Sequence, residues 1–144
     1  MTDSKLWWIV QLFSCFSLTG LIWVMQLVHY PSFVYIDRAR FVEFQRFHEK
    51  RITWIVGVLM PADLISAGML LWSSRTPELW INLGLLLLVW GATAAFSVPC
   101  HSQLESGFTE SVWRRLVATN WFRTVFWSVR SLLLMKVLLS QWVV

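Results

Sequence analysis

Four long apolar stretches, at about residues 6–29, 52–72, 79–98 and 116–139, decide which solvent this chain can fold in. Each comes close to the ~20 residues that a helix needs to cross ~30 Å of hydrocarbon. Hydrophobic residues make up 57% of the 144 and charged residues 14%, against about 25% charged in soluble domains. A water-soluble fold of this length could not hide so much apolar surface. The expected fold is all-α: an integral membrane four-helix up-down bundle, one domain over residues 1–144, with no room for a soluble catalytic module.

The segments between the stretches refine that picture. Pro31 disfavours helical geometry at Tyr30, so helix 1 is expected to stop near His29. Residues 38–51 are amphipathic, with Phe41, Phe44 and Phe47 at helical spacing among Arg40, Glu43, Arg46 and Lys50. Such a pattern makes an interfacial segment before helix 2, or an extension of that helix. Pro61 is expected to kink helix 2, and Pro99 to end helix 3 ahead of a polar loop, Cys100–Glu110. The first stretch is too long for the apolar core of a signal peptide and lacks an Ala-x-Ala-like site, so it reads as a retained helix. Cys15 lies roughly 20 Å along the axis from His29, at 1.5 Å per residue, so it should not pair with Cys100. The absence of a Cys-x-x-Cys removes the simplest disulfide-oxidase reading.

A net charge of +4 raises the question of a nucleic-acid partner, and the distribution of charge answers it. Arg38, Arg40, Arg46, Lys50, Arg51, Arg114 and Arg115 fall on one face of the expected bundle, and Lys5, Arg75 and Lys136 on the other. That asymmetry points to membrane lipid and no nucleic acid. By the positive-inside rule it puts both termini outside and the other end in the cytoplasm, as in a bacterial inner membrane. Several of the eleven tryptophans (Trp7, Trp8, Trp54, Trp72, Trp80, Trp113 and Trp142) lie near span ends, as an aromatic belt would. Trp90, Trp121 and Trp127 lie deeper.

The polar residues within the spans are not scattered. Asn120, Arg123, Trp127 and Arg130 follow one another at steps of three, four and three, which keeps them on one stripe of helix 4. Cys15, Thr19, Ile22, Gln26 and His29 form a similar stripe on helix 1, and Glu49, Val56 and Asp63 one on helix 2. An arginine facing lipid at mid-membrane costs about 2.5–3.5 kcal/mol even on the milder scales, so both arginines need partners. By helical rise, Asp63 lies roughly 16 Å and Arg130 roughly 21 Å into the membrane, close enough to pair. Arg123, roughly 10 Å in, has no acidic residue at its own depth, with Glu49 the nearest. An arginine so placed suits an anionic ligand or a developing oxyanion.

His29, His48 and His101, the three histidines of the chain, converge with Gln26, Asn120 and Arg123 at the cytoplasmic end of the expected bundle. Taken singly, each histidine is more simply an interfacial or backbone-bonded residue. Together, His29, His48 and His101 with Glu49 or Glu105 could ligate iron, copper or zinc, or His29 and His101 a haem. No His-x-x-His, His-x-x-x-His or Glu-x-x-His supports a metal. The third reading is acid–base chemistry, in which a histidine takes a proton from a bound substrate while Arg123 and Asn120 hold the anion.

The segments VHYPSF after helix 1, FH before helix 2, VPCHSQL after helix 3 and TNWFRT with a later Arg in helix 4 form a recognisable order. The chain resembles the anthrone-oxygenase-like family of small four-helix membrane proteins. Asn120 and Arg123 match that family's Asn-x-x-Arg, and Pro99 its proline at the end of helix 3. His101 stands where the family pattern carries Asn. The resemblance implies oxygenation of polycyclic phenols without a conventional cofactor. The expected function is therefore oxidation of a flat, membrane-soluble phenolic or quinone-like molecule. His29 or His101 would be the base, Arg123 and Asn120 the anion holders, and Gln26, His48 and Trp127 would contact the bound molecule. The alternative is non-enzymatic: an accessory subunit or a haem- or metal-binding component of a larger membrane complex, or a homo-oligomer.

Overall fold

A computed structural model describes residues 2–142, with side chains from 4 to 140; the side chain of Trp142 lies outside the described residues. Four long helices dominate it: α1 (Thr2–Val24), α2 (Phe41–Ser74), α3 (Pro77–Ala92) and α4 (Glu110–Trp142). Each packs on two others, α1 on α2 and α4, and α3 on α2 and α4. Among the described residues there is no strand.

Three continuous helical runs, Ser4–Tyr35, Phe41–Ser74 and Pro77–Leu104, are long and apolar enough to cross a membrane. The fourth helix matches them in length at 33 residues, but Arg123, Arg130 and Lys136 make it more polar. The distribution of polarity is the reverse of that in a soluble bundle. Gln11, Gln45, Asp63, Asn82, Asn120 and Arg130 are fully buried, while Trp54, Trp72 and Leu132 are more than 70% exposed. Apolar surface turned outward is what a lipid solvent accepts, and buried polar groups are tolerated because they pair with one another.

The pairing is densest halfway along the helices. Arg130 Nη1 donates to Asp63 Oδ2 at 2.8 Å and Nη2 to Oδ1 at 3.2 Å. Both side chains are wholly enclosed. Arg130 Nε also donates to Asn82 at 3.1 Å, and its guanidinium lies 4.6 Å from the Trp127 ring centroid. Gln11 and Ser14 of α1 donate to Asp63 Oδ1, and Ser66 donates to Gln11. All four helices thus meet in one polar layer, and the Asp63–Arg130 pair expected from helical rise is its centre. Gln11 and Asn82 were not anticipated; each is a lone amide in a strongly apolar stretch, which is itself a signal of a buried partner.

Two expected helix ends are not ends. The first run continues through a π-turn, Met25–His29, into a short helical turn and a 3-10 turn that finishes at Tyr35. The third run passes through a second π-turn, Thr93–Ser97, and continues as helix Val98–Leu104. In each case the proline, Pro31 or Pro99, comes two residues after the π-turn. A proline in a regular helix loses its bond to the carbonyl four residues back and its ring strikes that oxygen. A π-turn displaces this carbonyl: Tyr30 N–H bonds to Met25 O, and Val98 N–H to Thr93 O. The helix survives its proline because it widens just before it. Pro61 sits within one unbroken helix, Phe41–Ser74, of which the amphipathic 38–51 segment is largely the N-terminal extension.

Candidate functional site

A cavity of about 400 Å³ opens where α2, α4 and the continuation of α3 meet the end of the first run. Its polar wall is formed by Tyr30, His48, Glu49, His101, Glu105 and Arg123, and its apolar wall includes Ile52, Val56 and Val98. Thr53, Thr93, Ser97 and Ser102 complete the lining.

His101 is held at both ring nitrogens. Gln45 Nε2 lies 2.9 Å from Nδ1 and Tyr30 Oη 3.2 Å from Nε2. An amide N–H only donates, so Nδ1 accepts and the imidazole proton sits on Nε2, facing the tyrosine oxygen. The Tyr30 hydroxyl proton is then free to turn toward a ligand. The same Gln45 amide donates to Glu49 Oε1 at 2.7 Å, and Glu49 lies 3.7 Å from His101 Nδ1. Gln45 therefore fixes two cavity residues at once. Replacing Gln45 with Leu should lower stability by about 1–3 kcal/mol, since it strands a buried acceptor; a melting curve in detergent measures it.

Arg123 reaches the cavity from α4. Its Nη1 donates to Ser97 Oγ at 3.1 Å and to Asn120 Oδ1 at 3.2 Å. No carboxylate neutralises it within ion-pair distance among the described residues, and its Nε has no partner. Asn120 is fully buried and donates to Gln26 Oε1 at 2.8 Å, while Gln26 donates to the Val117 carbonyl at 3.2 Å. Asn120 and Gln26 thus stand behind Arg123 as its support and do not line the cavity. Trp127 is also buried, beneath Arg130 and away from the cavity wall.

The three histidines do come together, though not in one pocket. The His48 ring centroid lies 4.3 Å from that of His29 and 5.7 Å from that of His101. His48, only 7% exposed, has an Nε2 without a partner. His29 is in ring contact with Phe33 and Phe44 and lines a separate groove between the first run and α2. The π-turn explains its position. A wider turn rotates each residue less, so His29 falls off the Cys15–Gln26 stripe and Tyr30 takes the cavity side. Among the described residues no three His, Cys, Asp or Glu side chains are grouped to hold a metal ion. The candidate set His29, His48, His101 and Glu49 lacks the geometry because both His101 nitrogens already have protein partners. The same occupancy argues against a haem held between His29 and His101.

Tyr30, Gln45 and Ser97 were missed in the sequence. Gln45 was legible in principle, since it precedes Glu49 by four residues and His48 by three, on the same helical face. Tyr30 was obscured by the proline that follows it.

No family model, curated protein or solved structure matches the chain. What the cavity does is therefore read from its own residues.

Proposed function

We propose that the chain is an integral membrane protein of four spans in up-down order, with the cavity end cytoplasmic and both termini outside. Within it, the cavity oxidises a flat, membrane-soluble phenolic or quinone-like molecule, as the resemblance to anthrone-oxygenase-like proteins implies. The membrane reading is supported by three helical runs of spanning length and by a fourth helix whose Arg123 and Arg130 are turned to polar partners inside. The up-down order is supported by the pairings Gln11 to Asp63, Asp63 to Arg130 and Gln26 to Asn120, which require neighbouring helices to run in opposite directions. Protein washed in alkaline carbonate should stay with the membrane pellet; release into the supernatant would overturn this reading.

One observation carries the chemical proposal: an arginine with no carboxylate partner faces an imidazole–tyrosine pair across one partly apolar cavity. A phenolic ring fits between the apolar walls, with its oxygen toward Arg123 and the free Tyr30 hydroxyl proton. His48, the cavity imidazole with an unpartnered nitrogen, takes a proton from the substrate, and Glu49 stands beside it to accept charge. His101, expected as the base, instead orients Tyr30. The guanidinium and hydroxyl then hold the anion as it forms. Molecular oxygen adds to the electron-rich ring carbon, the adduct takes up a proton as a hydroperoxide, and loss of water leaves a carbonyl. A CH₂ group and O₂ thus become a C=O and water. Incubation of the purified protein with an anthrone-type substrate should consume one O₂ per quinone formed. Product formation no faster than in buffer would refute the proposal.

A further inference from the structure

A second cavity of about 240 Å³ lies on the other side of His48, in the groove between the first helical run and α2. Its floor is Met25, His48 and Ile52, and its rim includes Val24, Phe47, Arg51 and Ile55. Val24, Phe47 and Ile55 are each about half exposed or more, so the groove is open along its length to whatever surrounds the helices.

The groove is graded. At one end stand Arg51, which lies 5.4 Å from the Phe47 ring centroid, and His29, whose Nε2 has no partner. At the other end are Val24, five residues before His29, and Ile55, four after Arg51. Five residues span about 7.5 Å along a helix, which separates a charged end from an apolar one. The charged end lies where the apolar stretch of α2 begins, at the depth of lipid headgroups on the membrane reading above. Lys50, Arg46 and Arg40 precede it on the same helix or at its start, so the surrounding field is positive. Nothing in the oxidation chemistry requires this groove or Arg51.

We propose that this groove is a binding site for one anionic phospholipid of the adjoining leaflet. Arg51 holds the phosphate, since a guanidinium presents paired N–H donors to two phosphate oxygens. The His29 imidazole closes the inner side of the headgroup. An acyl chain runs from there over Ile52, Ile55 and Val24 toward the bilayer centre. The site shares His48 with the catalytic cavity, so a bound lipid becomes part of that cavity's wall.

The test is native mass spectrometry of the full chain released from mild detergent carrying equal phosphatidylglycerol and phosphatidylcholine. One phosphatidylglycerol should be retained in preference to phosphatidylcholine. Arg51→Gln should lower that preference about fivefold, the worth of one juxtamembrane basic residue. Ile55→Trp, which fills the apolar end at an exposed position, should lower retention of the lipid without changing its preferred headgroup. Equal retention of the two lipids by the unaltered protein would overturn the site, as would an unchanged preference in Arg51→Gln. Displacement of phosphatidylglycerol by an equal amount of oleate would also overturn it, because the site would then be one for a free carboxylate. Protein that remains soluble and monodisperse after detergent removal would overturn the membrane reading itself, and with it this site.

Discussion

Replacing Arg130 with Met should cost about 3–5 kcal/mol of stability, the largest effect expected of any single change in this chain. The substitution leaves Asp63 enclosed with no opposing charge, and takes a donor from Asn82 as well. Its partner-side equivalent, Asp63→Leu, should cost a similar amount by stranding the guanidinium. The two changes together should recover most of the loss, since an apolar pair of similar volume has no charge to satisfy. Thermal melts of the three variants in one detergent measure this directly. Additive losses in the double variant would show that the polar layer matters through Gln11, Asn82 and Ser66 and not through the ion pair.

Arg123→Ala should reduce turnover by about 100- to 1000-fold, the usual consequence of removing one donor from a developing oxyanion. The same change should shift the melting temperature little, because Arg123 is half-buried and its partners Ser97 and Asn120 are small. Arg123→Lys should restore part of the rate, since it keeps the charge but not the fork of donors. If activity and folded protein fall together in Arg123→Ala, the arginine is a structural member and the oxyanion role is lost. The contrast with Arg130 is the informative part: two arginines seven residues apart on one helix, one neutralised and one left for a ligand.

How much of this was readable beforehand depends on what kind of regularity each feature obeys. Spans follow from runs of apolar residues, and the Asp63–Arg130 pair from counting helical rise along two straight helices. Both hold because α2 and α4 are regular over the residues concerned. His29 and Gln26 were assigned to one pocket by the same counting, and there it failed. Between them the chain leaves α-helical geometry, and no spacing rule survives such a change of pitch. Tyr30 was hidden for a related reason, since Pro31 suggested a chain end where the structure has a continuing helix. The amides Gln11, Gln45 and Asn82 needed only the question of what a buried amide inside an apolar run must be bonded to.

The two π-turns also divide the molecule into parts that can be rephased independently. Deleting one residue from Thr93–Ser97, Ala94 for example, would return that stretch to regular helix and turn everything after it by about 100°. His101 would then leave Tyr30 and Gln45, while Asn82 and the polar layer below would keep their places. An insertion or deletion at either π-turn is thus a single genetic step that exchanges the residues facing the cavity without disturbing the helices that carry it. Chains of this architecture can acquire a new binding wall by changing length, with no substitution in the wall itself.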